Sequence, residues 1–304
     1  MSWRLLYHIA RADFLERVRT HRFLLTLAGA VYFGYLVNAG YVSLSLGGYR
    51  GVFSSAWVGS LTAVVVSTLL SLIGFFLVKN TLERDRSTRV GEILAATPLS
   101  RLAYTTGKAV SNFLVLGSIV VVLAAAGVLL QLLAHEDRTL DLGAFLAPLV
   151  WIGLPPMALV AALAVLWETV TWLRGSLGNV LYFFAWTALL ALSITQTSAD
   201  MAGIQLLRRS MARQAAAAIP GYQGGFALSI GPRQRLDSFH WSGIEWSGGV
   251  IAGRLAWVAA ACAVAGLAAL LFTRFDPARE GGRRPPPSVA PSLAAARQRR
   301  RVWR

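Results

Sequence analysis

Charge is scarce in this chain. Asp, Glu, Lys and Arg make up only 14% of its 304 residues, against roughly a quarter in an ordinary soluble domain, which excludes a water-facing surface over most of its length. A single cysteine, Cys262, excludes an intrachain disulfide or a thiolate metal cage. The four histidines, His8, His21, His135 and His240, are scattered. "HEDRT" at His135 carries Thr139 where a zinc-peptidase motif needs its second histidine. The phosphate-cradling pattern G-x-x-x-x-G-K-[ST] is also missing. "TTGK" supplies Gly107 and Lys108, but Leu102 stands where the first glycine belongs and Ala109 follows the lysine. With no nucleophile–base pair and no metal cluster, the sequence predicts neither an enzyme nor a cofactor site on this chain.

What it has instead is apolar length. Hydrophobic residues make up 56% of the chain and the mean hydropathy is +0.56. Runs of about 20 apolar residues, enough to cross a hydrocarbon core of about 30 Å, occur at 23–46, 57–78, 110–133, 144–166, 177–196 and 250–272. The second, uncharged throughout, is roughly 33 Å long at about 1.5 Å per residue. The pattern predicts an all-α polytopic membrane protein with six spans. The basic residues 1–22 precede a run too long for a signal-peptide core, so the first span is expected to be retained.

The net charge of +15 is concentrated on one side of that layout. Residues 1–22, 79–111, 167–179 and 273–304 hold 21 of the 29 Lys and Arg, which predicts that both termini and the second-to-third-span loop are cytoplasmic. Arginines flanking spans are attracted to anionic lipid, so membrane lipid is preferred to nucleic acid as the partner of this basic charge. In residues 1–22, Trp3, Leu6, Tyr7, Ala10, Phe14 and Val18 share one helical face, with Arg4, Arg11 and Arg17 elsewhere, predicting an amphipathic helix in the membrane interface. Pro148, Pro155 and Pro156 predict a kink in the fourth span. Ser67, Thr68 and Ser71 read as polar glue between helices. Glu168 and Arg254, near span ends, read as snorkelling groups. Residues 197–249 form a long outer loop in which "IQLLRRSMARQ" suits a short amphipathic helix. The tail, 277–304, is rich in Pro, Gly, Ala and Arg and is expected to be disordered and basic.

The most informative stretch is "LERDRSTRVGEILAATPLSRLAYTTGK", Leu82 to Lys108. The second helix is expected to run on through "KNTLERDR" into water, with Glu83, Arg84, Asp85 and Arg86 solvated. Val90, Ile93 and Leu94 then form a small apolar edge beside Glu92. Thr97 and Pro98 read as N-cap and first position of the next helix, which continues through Arg101 and Tyr104 to Lys108. The product is a short cross-helix over 90–96, braced by continuous helices on both sides. Its apolar edge would bury about 2–4 kcal/mol of surface against a partner.

This stretch resembles the cytoplasmic loop of ABC-2 type transporter permeases, the membrane-spanning subunits of ABC exporters. Glu83 matches the family's first acid, Gly91 and Glu92 its Gly/Glu pair, and Ile93 and Leu94 its aliphatic pair. Thr97, Pro98, Ser100 and Arg101 match the turn, and Gly107 with Lys108 the last element. Many relatives place a small residue between the glycine and the second acid, whereas Gly91 and Glu92 are adjacent here. The resemblance implies a type V exporter-like architecture over residues 23–276, in the inner (plasma) membrane of a prokaryote. It further implies that 90–96 is a coupling helix seated in a separate ATPase subunit, which would hold ATP and Mg. Glu83, Gly91, Glu92, Ile93, Leu94, Pro98 and Arg101 would form the docking set, and a second permease copy or paralogue would complete the transporter. The alternative is a membrane scaffold or biogenesis subunit whose loop docks a non-ATPase partner.

Overall fold

The computed structural model describes residues 3–88, 91, 99–134, 136–137, 139–222, 224–231 and 236–273. Glu92, Ile93, Leu94 and Pro98 of the expected docking set, and the tail 277–304, lie outside the described residues. The chain is mostly helical and membrane-integral. Helices α1 (Trp3–Val18), α2 (His21–Asn38), α3 (Ser55–Val65), α4 (Ser71–Val78) and α5 (Thr81–Ser87) form the first half. Then follow α6 (Arg101–Ala134), α7 (Leu142–Pro148), α8 (Leu154–Thr169), α9 (Ser176–Thr195), α10 (Ile204–Ala218) and α11 (Gly248–Leu271).

Among the described residues, five helical stretches are long and apolar enough to cross a membrane: Ser55–Ser87, Arg101–Leu133, Leu142–Thr169, Ser176–Thr195 and Gly248–Leu271. The first expected span is shorter than its apolar run. It is helical only to Asn38, and its last residues become strand β1 (Val42–Ser45). The reason is local: Gly40 takes a left-handed φ of 81°, and Val42–Ser45 then pairs antiparallel with β3 (Ala227–Ile230), Val42 opposite Ile230. A second ribbon joins β2 (Tyr49–Gly51) in parallel to β4 (Asp237–Phe239). The 197–249 loop therefore carries both an amphipathic helix, α10, as expected, and two strands, which the all-α expectation did not include. Arg50 clamps this cap to Glu136 with bonds of 3.0 and 2.6 Å.

Helix α8 is the central element, buried along most of its length and packed against α4, α6 and α11. The expected proline kink takes the form of a π turn at Leu149–Gly153. It lies between Pro148, which closes α7, and Pro155-Pro156, which open α8 where no backbone donor is needed. A second π turn, Val66–Leu70, joins α3 to α4 and packs against the first. Ser67 Oγ there donates to the carbonyl of Ala202 at 2.8 Å, while Tyr182 and Trp186 reach the carbonyl and hydroxyl of Ser71 at 2.7 and 2.9 Å. These hydroxyls do hold segments together. The outward faces carry large exposed apolar side chains such as Leu25, Leu133, Phe184 and Leu270, as a lipid-facing bundle requires.

Small residues set the closest approach in the core. A Cβ built on Gly59 would sit 2.3 Å from the carbonyl oxygen of Phe145, so α3 and α7 touch backbone to side-chain-free backbone. Gly59→Val is expected to force them apart at a cost of about 1–3 kcal/mol. Heating in detergent followed by size-exclusion chromatography should show a lowered unfolding midpoint; an unchanged midpoint would contradict this packing.

Candidate functional site

The structure gathers charge where the sequence suggested solvent. At one end of the bundle α4 stops at Val78, and Asn80 adopts a left-handed φ of 74° before α5 starts. The expected continuous pillar is therefore broken. The physical reason is Glu168 at the end of α8, only 1% exposed. Its carboxylate accepts the backbone N–H groups of Thr81, Leu82 and Glu83 at 3.1, 2.6 and 3.2 Å. It thus caps the free donors and positive end of α5 from another helix, and it does not snorkel.

Asp85, expected to be solvated, is 6% exposed. Its Oδ2 accepts from the Tyr104 hydroxyl at 2.6 Å and pairs with Lys108 Nζ at 2.8 Å. Lys108, 3% exposed, also pairs with Asp13 of α1 at 2.7 Å. Asp13 in turn meets Arg84 at 3.3 Å, and Glu16 meets the other guanidinium nitrogen of Arg84 at 3.0 Å. Arg17 is buried as well. It donates to Asn112 Oδ1 at 2.6 Å and to the Thr81 hydroxyl, while Asn112 donates to the carbonyl of Ala161 on α8 at 3.2 Å. Burial pulls the Arg17 guanidinium below its ordinary pKa, and the nearby Asp13 and Glu168 carboxylates pull it back up. Lys79, at the helix break, donates to Asn179 Oδ1 of α9 at 2.6 Å.

The α1 expectation thus changes. Ala10 is buried and Phe14 and Val18 pack against the core, but Tyr7 is exposed and the acid–base pair Asp13/Arg17 points inward. The helix is pinned against α6 by charge and not merely floated on lipid by an apolar face. Burying these groups is tolerable because carboxylates at Asp13, Asp85 and Glu168 are met by Arg17, Arg84 and Lys108 with further hydrogen bonds.

Of the expected docking residues, Glu83 is exposed and pairs with Arg86 at 3.5 Å. Arg101 is exposed at the start of α6, and Gly91 is buried. Neither Glu83 nor Arg101 carries its side chain into the network. Sequence reasoning missed Asp13, Arg17, Thr81, Asp85, Tyr104, Asn112 and the inward role of Lys108 and Glu168. A signal existed: Asp13/Arg17, Thr81/Asp85, Tyr104/Lys108 and Lys108/Asn112 are all polar pairs at i,i+4, a spacing that puts both members on one helix face.

The arrangement ties α1, α5, α6 and α8 together. Its long-range consequences are geometric. Asp85 on the limb before residues 89–98 and Lys108 on the limb after them are bonded to each other. Lys108 is bonded directly to Asp13 of α1, Asp85 reaches it through Lys108, and Arg84 adds a direct bond from the first limb. Phe272, just past α11, stacks on Tyr104 with ring centroids 5.0 Å apart, bringing the far end of the described chain to the same place. Compared with known proteins, the chain matches no family model, and no curated protein matches it.

Proposed function

We propose that this membrane-integral chain is the membrane-spanning subunit of an ABC transporter, an exporter of the ABC-2 type. Six spans, α2 included, cross the inner membrane of a prokaryote with the charge network on the cytoplasmic side. Residues 90–96 dock on a separate ATPase subunit that holds ATP and Mg, and a second copy or paralogue of this chain completes the pathway. This chain contributes no catalytic group.

One observation carries the reading: both limbs flanking residues 89–98 are locked to each other through Asp85, Tyr104 and Lys108, and to α1 and α8 through Asp13 and Glu168. A segment that is to receive force must not rotate on its supports. The broken helix at Asn80 would be a weak hinge by itself, and the buried ion network supplies the stiffness that a continuous helix would otherwise give. The basic residues of the flanking segments and the resemblance of Glu83 through Lys108 to permease loops point the same way.

The neighbouring coding sequences are first searched for a Walker-motif ATPase, and co-expression with it tests the proposal. The ATPase should co-purify, and Glu92→Arg or Gly91→Pro should weaken its retention on the order of tenfold or more, as reversal of an interfacial charge does. Retention and turnover unaffected by either change would overturn the docking assignment. Capture of a non-ATPase partner through the same segment would favour a scaffold.

A further inference from the structure

At the end opposite the charge network lies a cavity of about 630 Å³, well inside the range of about 300–1,000 Å³ typical of small-molecule sites. It is bounded by α2, α3 and its π turn, α9, α10 and the β1–β3 ribbon. Its walls are apolar, with Phe33, Val65, Leu69, Trp186, Leu190 and Phe226 prominent. The polar atoms at its deep end are already satisfied: Thr68 donates to the carbonyl of Val64 at 2.6 Å, and the Trp186 indole donates to Ser71 at 2.9 Å. That end therefore offers little to a polar ligand.

Among the described residues, Arg208 is the one charged residue in the lining. It is exposed, and among the described residues no carboxylate pairs with it. It belongs to α10, whose fifteen residues include Arg208, Arg209 and Arg213 and no acid. Depth runs in parallel with polarity. Thr68 and Trp186 belong to the membrane-crossing stretches Ser55–Ser87 and Ser176–Thr195, whereas Arg208 lies in the segment between crossing helices. The cavity is thus greasy inside the bundle and cationic where the bundle meets its aqueous cap.

We propose that this cavity binds one acyl chain of an anionic membrane lipid, with the headgroup phosphate held by Arg208. A guanidinium suits that role because its planar donors match phosphate oxygens in pairs, and the acid-free α10 with its three arginines repels the quaternary ammonium that phosphatidylcholine adds to the same phosphate. The acyl chain replaces water against aliphatic and aromatic walls. The inference goes beyond the proposed transporter role, and its test needs no ATPase.

The full chain is placed in nanodiscs containing either phosphatidylglycerol or phosphatidylcholine that carries a diazirine on one acyl chain. After illumination, labelled peptides are mapped by mass spectrometry. Phosphatidylglycerol is expected to label the stretches around 64–69 and 186–194 several-fold more than phosphatidylcholine. Arg208→Glu should reduce that labelling to the phosphatidylcholine level at an unchanged unfolding temperature, and Arg208→Lys should retain most of it. Leu69→Trp, which fills the cavity, should lower labelling by both lipids. Equal labelling by the two lipids, no effect of Arg208→Glu, or labels confined to the outward faces of the bundle would each overturn the proposal.

Discussion

Replacing Lys108 with methionine is expected to destabilise the bundle by about 3–5 kcal/mol, the usual consequence of removing one partner from a buried ion pair. The expectation is at the high end because Lys108 serves two acids. Its Nζ lies 2.7 Å from Asp13 and 2.8 Å from Asp85, and methionine leaves two like charges facing one vacated position where water is excluded. The hydrocarbon part of lysine is nearly matched by methionine, so lost packing contributes little. In a protein of this size the unfolding midpoint should fall on the order of 10 °C. A second substitution distinguishes charge from shape: Lys108→Met with Asp85→Asn should be more stable than Lys108→Met alone, because one of the stranded carboxylates has gone. Should the double variant be no better, or the single variant match the parent, the network is not the clamp described above.

The second large effect is expected at Glu168. Alanine there strands three backbone donors, buried at Thr81 and Leu82 and part-buried at Glu83, and each unsatisfied buried donor costs about 1–3 kcal/mol. It also removes the carboxylate facing Arg17. Helix α5 is only seven residues long and has no side-chain cap of its own at Asn80, so it depends on this external one. Hydrogen exchange at the amides of 81–88 should therefore rise sharply in Glu168→Ala, well beyond any general loosening of the spans. Glu168→Gln, which keeps one acceptor oxygen in place, should show an intermediate effect. If the proposed docking role is right, Glu168→Ala should also uncouple the ATPase: the partner stays bound through residues 90–96 while stimulation by transport is lost. Unaltered exchange over 81–88 would show that α5 is held by something other than Glu168.

The division between what could be read early and what could not follows from the range of the forces concerned. Hydrophobic length, helix-stop signals and charge bias are properties of contiguous residues, so membrane integration, five of the crossing segments and the amphipathic α10 were legible in order along the chain. The bridging hydroxyls of Ser67 and Ser71 were legible too, whereas that of Thr68 bonds within its own helical stretch. Other readings failed for a common reason. Glu168, Asp85, Lys108 and Arg254 look alike whether they reach for water or for a partner. Arg254 turned out to be buried beside Asp200, 3.6 Å away, and burial raises the Asp200 pKa above the ordinary carboxylate range despite bonds from Leu206 and Ile204.

By itself, then, the amino-acid order determined that this chain lives in a membrane, roughly where it crosses, and that an unusually elaborate charged segment separates two of the crossings. Only the tertiary structure decided that the segment's two limbs, the first helix and the end of α8 share one buried set of charges. Periodicity assigns a residue to a face, but an ion pair between residues 13 and 108, or a cap from residue 168 onto residue 81, exists only once separate helices are packed side by side. The low dielectric created by that packing makes each such partner costly to lose.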